Sequence, residues 1–191
     1  MEDVSGVDVP LQICVVGEDL YQDVAFMRTC SHFGVPVLQS RSGVEHLQDT
    51  SVRTVYVVSS FESPEYEKLN EAKRPILGPP AVKDLVRNDQ PLLVKKCPVY
   101  CLALYESIIV FSGFKRKADL QRMMKLIQKM GGSINKDAGR KMTQLLAQSS
   151  LGEKYQYAQT FCIPVLTEDW LTAAWDNRET VGYRYSRNTE S

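Results

Sequence analysis

The chain repeats itself once, and this repeat limits what it can fold into. When the second half is laid over the first, Gly113 falls on Gly17 and Gly131 falls on Gly34, at offsets of 96 and 97 residues, and the offset then settles at 89. Each unit is about 90 residues long, which is a common size for an independent domain. The repeat therefore predicts two tandem domains of the same fold.

Each unit combines apolar strands with a helical pattern that ends at a glycine, where a positive φ is easily accommodated. The strands are predicted at 11–16, 54–58, 108–111 and 142–147, and the helices at 23–33 and 118–130. The second unit reads strand, helix, strand, strand, helix, strand, helix. Strands that alternate with helices predict an α/β fold, with a small parallel sheet flanked by helices in each unit.

For two helices of the second unit, the sequence also predicts which residues face the core or cap the helix. Five apolar side chains of the first helix recur at spacings of three and four, which predicts a core stripe: Leu120, Met123, Met124, Ile127 and Met130. In the last helix, Thr167 is predicted to be the N-cap and Trp170 to enter the core.

The domain boundaries follow from the repeat and from the segment between the units. We predict a first domain over 10–90, a packed linker over 91–106, a second domain over 107–178 and a polar tail over 179–191. Because the linker contains apolar residues such as Leu92, Leu93 and Val99, we expect it to pack against one or both domains and to make the pair rigid.

Composition excludes several function classes. No run approaches the roughly 18 apolar residues of a membrane span, and residues 1–10 lack the pattern of a secretory signal, so we expect an intracellular protein without membrane contact from this segment. Five scattered cysteines predict reduced thiols, and Cys97 with Cys101 lacks the second pair that a zinc site needs. We expect no metal and no cofactor. Without a glycine-rich phosphate loop or a plausible catalytic histidine, we expect no enzyme.

The zero net charge conceals an asymmetry between the two halves. Residues 1–106 carry 10 basic and 15 acidic side chains, whereas residues 107–191 carry 13 and 8. Within 111–154 there are 10 basic and 3 acidic side chains. This excess predicts either an acidic or phosphorylated partner or an ordinary solvated helix face.

Three residues of the second unit can together bind a phosphate. A phosphate group carries a charge of about −1.5 to −2 and needs several donors and a cation. Ser112 offers a hydroxyl at a strand end, Gly113 a backbone N–H and Lys154 an ammonium group, and the helix that begins near residue 118 adds its N-terminal field. The alternatives are a hydroxyl that serves its own turn, a glycine needed only for turn geometry and a solvated lysine.

Four further basic residues are possible secondary contacts. Lys115 and Arg116 follow the strand and either line the phosphate site or face solvent. Arg140 and Lys141 either bind acidic residues beside the phosphosite or are simply exposed.

The first unit serves as an internal control. Val16 stands where the second unit has Ser112, and Glu65 stands where it has Lys154. Loss of the hydroxyl and reversal of the charge predict that the first unit does not bind phosphate. Ala81 also replaces Trp170, which indicates a degenerate unit that braces the second.

The second unit resembles a BRCT domain over its whole length. The resemblance rests on Phe-Ser-Gly-Phe at 111–114, Met-Gly-Gly at 130–132, the strand at 142–146 and the helix of Trp170. It implies tandem BRCT-like domains, in which Ser112, Gly113 and Lys154 bind phosphoserine or phosphothreonine. Gln144 departs from the pattern, since many members of this family have histidine there.

Both units together resemble the N-terminal region of Pebble-type Rho guanine-nucleotide exchange factors, which drive cytokinesis. The residues that carry this resemblance are 78–80, 97–101 and 151–155. It implies a receptor for the phosphorylated RacGAP subunit of centralspindlin. The same receptor would autoinhibit an exchange domain further along the chain. A Rho GTPase would be contacted only by that exchange domain.

The same resemblance implies that the chain is a piece of a longer protein. Its implied location is the nucleus in interphase and the central spindle or equatorial cortex in division. The alternatives are a basic BRCT surface that binds DNA or poly(ADP-ribose) and a scaffold that binds no phosphate.

Overall fold

The computed structural model describes residues 8–185. These residues divide into two compact units between Pro98 and Val99. Residues 186–191 of the predicted polar tail, like residues 1–7, lie outside the described residues.

The first unit is built on a parallel sheet of four strands. The strands are β1 (Leu11–Val16), β2 (Val37–Ser40), β3 (Arg53–Val58) and β4 (Ile76–Leu77). The helices described in this unit are α1 (Glu18–Tyr21), α2 (Val24–Ser31), α3 (Pro64–Glu71) and α4 (Pro79–Arg87), with a 3-10 turn at Val44–His46. The strand order is β2-β1-β3-β4, and every pairing is parallel. Almost every residue of β1 and β3 is buried, as is typical of a parallel sheet covered on both faces.

The second unit has the same topology. Its strands are β5 (Ile108–Ser112), β6 (Ser133–Asn135), β7 (Gln144–Ala147) and β8 (Val165–Leu166). Its helices are α5 (Lys117–Lys129), α6 (Glu153–Thr160) and α7 (Glu168–Asp176). The strand order is β6-β5-β7-β8, again parallel throughout. The predicted order of elements and the predicted fold class are confirmed.

Glycines follow α2 and α5, the two helices for which the sequence predicted them. Gly34 follows α2 with a φ of 68°, and Gly131 follows α5 with a φ of 83°. Gly131 also allows a close approach, because a Cβ atom there would lie 3.3 Å from Leu102. The turn after α5 therefore needs glycine both for its backbone and for its packing.

The end of the predicted linker packs on the second unit. The backbone N–H of Tyr100 donates to the carbonyl of Lys129 at 2.7 Å, and that of Leu104 donates to Met130 at 2.8 Å. Residues 99–104 are all buried. The rigidity of the two domains as a pair stays a prediction.

Two expectations about the core need correction. Trp170 is only partly buried and makes an edge contact with Tyr185, while Leu171 and Ala174 are the buried residues of α7. The reason is that Trp170 lies about 40° from Ala174 but about 100° from Leu171 around the helix, so it stands at the edge of the buried face and not at its centre. The Thr167 cap is confirmed, since its side chain accepts a hydrogen bond from the Trp170 backbone at 3.3 Å.

The second correction concerns α5, whose predicted stripe divides in two. Met123, Ile127 and Met130 are completely buried, whereas Met124 is 36% exposed and Leu120 is partly exposed. Leu120 and Met124 instead line a surface cavity. A spacing of three and four identifies an apolar helix face but does not distinguish the core from an apolar cavity wall.

The five cysteines are divided between buried and exposed positions. Cys14, Cys30 and Cys101 are buried, and Cys97 and Cys162 are exposed. Among residues 8–185, no group of acidic, histidine and cysteine side chains is arranged to hold a metal ion. Within the same range, no helix is both long enough and apolar enough to cross a membrane.

Candidate functional site

One cavity of the second unit contains all three residues predicted to bind phosphate. It has a volume of about 740 Å³ and is lined by Ser112, Gly113 and Lys154 together with residues of α5 and β6. Ser112 ends β5, and Lys154 is the second residue of α6. The parallel fold brings them together because both lie at the carboxyl edge of the sheet, where such sheets form ligand crevices.

The Ser112 side chain is not used by its own turn. Its backbone carbonyl accepts a hydrogen bond from the N–H of Gln148 at 3.0 Å. Its hydroxyl has no hydrogen-bond partner among residues 8–185. The hydroxyl can therefore donate to a bound oxygen without giving up an internal bond.

Gly113 has a backbone that other residues adopt with difficulty. Its φ is 84°, and a Cβ atom would lie 3.4 Å from the Ser149 Oγ and 3.5 Å from the Gln148 Cβ. Its N–H has no partner within the described part of the chain. The glycine thus supplies both the turn and a backbone donor beside the Ser112 hydroxyl.

Lys154 is held in place by the ends of two strands. Its Nζ donates to the carbonyl of Phe111 at 3.2 Å and to the carbonyl of Lys136 at 2.6 Å. An ammonium group has three donors, so one N–H remains for a ligand. The two carbonyls fix the position of a side chain that would otherwise be flexible, which lowers the entropy lost on binding.

The first turn of α5 adds a favourable field. Its N-cap is Arg116, and no side chain caps the helix. The first backbone N–H groups are thus left to solvent or to a ligand, and the helix dipole favours an anion there. Asp119 opposes this effect in part, but its carboxylate lies 3.3 Å from the Arg116 Nε.

The four possible secondary contacts do not line the cavity. Lys115, Arg116, Arg140 and Lys141 are all exposed, and Arg116 pairs with Asp119. Arg140 and Lys141 precede β7, so they lie at the amino edge of the sheet, opposite the carboxyl edge where Ser112 lies. Contact of Arg140 and Lys141 with acidic residues that flank a phosphosite stays a prediction, as does a role for Lys115 and Arg116 beside the phosphate.

Several lining residues were missed by the sequence reasoning. Lys136 follows β6 directly and lines the cavity. Asn135 of β6 and Gln128 of α5 also line it. A usable signal existed for Lys136, because residues that follow parallel strands meet at one edge of the sheet. For Gln128 no such signal existed, since only the position of α5 relative to β6 brings it to the cavity.

The first unit has a cavity at the equivalent place, but with opposite charge. It is about 340 Å³ in volume, and its lining includes Val16, Glu18, Asp19 and Glu65. Glu65 is the second residue of α3, as Lys154 is of α6. The one basic side chain described there, Arg41, lies 3.9 Å from the Glu18 carboxylate. Such a cavity repels a phosphate dianion.

Comparison with protein families matches both units. Residues 107–170 match a family model described as the twin BRCT domain. Residues 25–100 match a model described as the ECT2 BRCT0 domain. Together the two matches include every strand from β2 to β8.

Comparison with individual proteins gives relatives for most of the chain. Human protein ECT2 is 31% identical over 145 residues, which are 76% of this chain and 16% of that protein. Mouse protein ECT2 is 29% identical over 141 residues, which are 74% of this chain and 15% of that protein. The chain thus spans less than one fifth of the length of these relatives.

Similar chains among solved structures have low sequence identity to this chain. Rad4 BRCT1,2 in complex with a Crb2 phosphopeptide is 21% identical, with a TM-score of 0.39 over 93% of this chain and 96% of that chain. Yeast Rtt107 is 14% identical, with a TM-score of 0.40 over 89% of this chain and 42% of that chain.

Proposed function

Because the chain belongs to the BRCT family, as two tandem BRCT domains related to ECT2, we propose that it is a phosphopeptide-binding module whose second domain holds the phosphate. One observation carries the proposal: a hydroxyl, a backbone N–H and an ammonium, from Ser112, Gly113 and Lys154, line one cavity. The segment acts by binding and carries out no catalysis of its own.

The charges of the cavity support this assignment. Lys136 and Lys154 are the charged residues of its lining in the part of the chain that the structure describes, and no carboxylate is among them. Hydrogen bonds to a charged group are stronger than neutral ones, and two cations favour a dianion over a neutral side chain. A phosphorylated serine or threonine therefore fits better than its unmodified form.

The relation to ECT2 supports a finer proposal about the partner. The module recruits a Rho guanine-nucleotide exchange factor to the phosphorylated RacGAP subunit of centralspindlin during cytokinesis. The same surface takes part in autoinhibition, because a phosphopeptide and the exchange domain would compete for it. The module then acts at the central spindle or equatorial cortex in division and is nuclear in interphase.

Fluorescence anisotropy tests the proposal directly. The chain is titrated into a labelled phosphopeptide from the candidate RacGAP and into its unphosphorylated twin. We expect binding of the phosphopeptide alone, and Lys154→Met should weaken it by about 10- to 100-fold, the effect of losing a charge-assisted hydrogen bond. Lys125→Met is the matched control, since Lys125 is an exposed lysine of α5 that does not line the cavity.

Two outcomes would count against phosphopeptide binding. Equal affinity for both peptides would show that the phosphate is not recognised. Tight binding of DNA or poly(ADP-ribose) with a steep salt dependence, unaffected by Lys154→Met, would favour the basic-surface alternative.

A further inference from the structure

The first unit has another cavity, at the edge of its sheet opposite the acidic one. It has a volume of about 400 Å³. Its lining includes Arg53, the first residue of β3, and Arg74, which lies two residues before β4. Because these strands are parallel, both arginines lie where the strands begin. We call this site the amino-edge cavity.

Two buried polar groups of the amino-edge cavity have no hydrogen-bond partner. Tyr56 of β3 is completely buried, and its hydroxyl is unpaired among residues 8–185. The Nε of Arg74 is buried and unpaired within the same range. Both residues line the cavity, and the Arg74 Nη2 donates to the Leu47 carbonyl, which holds the guanidinium in place. Burying polar groups without partners costs stability, so the pair needs a reason other than packing.

The second unit shows that the fold does not need this polar pair. At the offset of 89 residues, Leu145 stands where the first unit has Tyr56. Ile163 stands where it has Arg74. The backbone agrees with this correspondence, since Tyr56 and Leu145 each donate their N–H to a proline carbonyl at 2.9 Å. Leu145 and Ile163 are both buried, so apolar side chains close in one unit the place that carries polar groups in the other.

The unpaired groups of the cavity are hydrogen-bond donors. The Nε of an arginine can only donate. Burial raises the pKa of Tyr56 to about 12, so its hydroxyl keeps its proton at neutral pH and can donate as well. Arg53 is exposed and adds a second guanidinium, and neither arginine forms an ion pair within the described part of the chain. His46 also lines the cavity and can donate through a ring N–H.

We propose that the amino-edge cavity binds the side-chain carboxylate of an acidic protein segment, which accepts hydrogen bonds from the Tyr56 hydroxyl and the Arg74 guanidinium. A guanidinium matches a carboxylate because two parallel N–H groups can bind its two oxygens. A volume of about 400 Å³ lies within the range of small-ligand sites. The inference is independent of phosphate binding by the second unit.

The acidic residues of the lining favour a carboxylate over a phosphate. Asp8 and Asp49 line the cavity together with the two arginines. The carboxylate of Asp49 is already engaged by Ser51, whose backbone N–H donates to it at 2.9 Å. Both carboxylates repel a phosphate dianion more strongly than a singly charged carboxylate.

NMR titrations of the whole chain test the proposal, with the Arg74 Nε–H signal as the direct report on the cavity. The probe is the peptide acetyl-Gly-Glu-Gly-amide, and we expect a dissociation constant on the order of 1–10 mM for so small a ligand. The neutral peptide acetyl-Gly-Gln-Gly-amide should cause no shift at the same concentration and ionic strength. Acetate and inorganic phosphate should each bind more weakly there than the glutamate peptide.

Two variants assign the shifts to the cavity. Arg74→Ile should weaken binding by at least about 10-fold and Tyr56→Phe by about 5- to 10-fold, followed on the backbone amide signal of Arg53. Tyr56→Phe should leave the urea midpoint unchanged or higher, because it removes an unpaired buried hydroxyl. Arg28→Ile is the control, since Arg28 is an exposed arginine of α2 that does not line the cavity.

Several results would overturn the inference. Equal shifts from the glutamine peptide, or none from the glutamate peptide, would mean that no carboxylate is bound. Tighter binding of phosphate would contradict the choice of a carboxylate, and equally tight binding of acetate would exclude a protein segment as the ligand. A lower urea midpoint of Tyr56→Phe with unchanged peptide affinity would assign the hydroxyl a structural role. Phosphopeptide binding at Lys154 is measured separately and stands or falls by itself.

Discussion

At the scale of single residues, the cavity depends on how Lys154 is held. Two backbone carbonyls accept hydrogen bonds from its Nζ, and both belong to segments at the carboxyl edge of the sheet. The positive charge is therefore set in position by the fold before a ligand arrives. This arrangement needs a long, positively charged side chain, since a shorter one would not reach these carbonyls and a neutral one would not attract a phosphate.

The Ser112 hydroxyl should contribute to binding without contributing to stability. Ser112→Ala should weaken phosphopeptide binding by about 5- to 10-fold, because it removes one donor to the phosphate. The free energy of unfolding should change by less than about 0.5 kcal/mol, because the hydroxyl has no partner among residues 8–185. Anisotropy and urea unfolding measure the two quantities, with Ser133→Ala as the control, because Ser133 is an exposed serine that does not line the cavity. A large loss of stability with unchanged affinity would assign Ser112 a structural role.

Glycine substitutions measure the backbone strain that a positive φ imposes on other residues. Gly34 has a φ of 68°, and no atom lies within 4 Å of the place that a Cβ would take, so Gly34→Ala should cost only strain, about 1–2 kcal/mol. Gly113→Ala should cost about the same, because its φ is 84° and a Cβ would make only ordinary van der Waals contacts with Ser149 and Gln148. Gly139→Ala, with neither feature, should change stability by less than about 0.5 kcal/mol.

Urea unfolding measures the free energy of unfolding of the three variants, and an unchanged m-value shows that each variant still unfolds as the original chain does. The order would be contradicted if Gly139→Ala were as destabilising as Gly113→Ala.

Among the helices, α5 carries two apolar rows: Met123, Ile127 and Met130 are buried in the core, and Leu120 and Met124 line the cavity. Ile127→Ala should destabilise the second unit by about 2–5 kcal/mol, because it leaves a cavity at a completely buried position. Met124→Ala should cost less than about 1 kcal/mol, because that side chain is 36% exposed. Chemical unfolding of the two variants measures the difference. Equal losses would mean that Met124 belongs to the core after all.

The bounds of strands and helices were predictable where the local sequence pattern determines them. β1 has the bounds predicted for it, and α5 begins and ends one residue earlier than predicted. β7 is shorter than predicted, because the Met142 backbone N–H donates to the Gly139 carbonyl in a turn and the strand starts only at Gln144. Such turns depend on the backbone of the preceding loop, which periodicity does not report.

The site was only partly predictable. Ser112, Gly113 and Lys154 were singled out by their residue types and by the repeat, and the structure brings them to one cavity. The position of Leu120 and Met124 in the cavity lining was missed because both look like core residues when a helix is considered alone. Whether an apolar row faces the core or a cavity depends on the packing of α5 against β6, which is a tertiary property.

At the scale of the whole molecule, cysteines report on the folding of both units. Burial raises the pKa of Cys14 and of Cys30 from 9.0 to about 12, so both thiols stay protonated and unreactive at pH 8. Iodoacetamide should label Cys97 and Cys162 in the native chain and all five cysteines in urea. Peptide mass spectrometry identifies the labelled sites. Fast native labelling of Cys14 or Cys30 would show that the first unit opens.

The same two cysteines predict how stability depends on pH. Their pKa values are higher in the folded than in the unfolded chain, so their stabilising effect is complete below pH 9 and is lost as the pH rises towards 12. The free energy of unfolding, measured in urea, should therefore fall across this range. A Cys14→Ala, Cys30→Ala chain should show a smaller fall, and an identical pH profile would contradict the assignment.

Two domains of one topology differ in what they can bind because their cavities differ in charge. The second unit presents Lys136 and Lys154, whereas the first presents Glu18, Asp19 and Glu65. Isothermal titration calorimetry should therefore give one phosphopeptide per chain. Lys154→Met should weaken this binding, and Glu65→Lys should leave the stoichiometry at one, because Glu18 and Asp19 remain and Val16 offers no hydroxyl. A stoichiometry of two would mean that carboxylates at the first cavity do not exclude a phosphate, and the electrostatic account of both cavities would then be wrong.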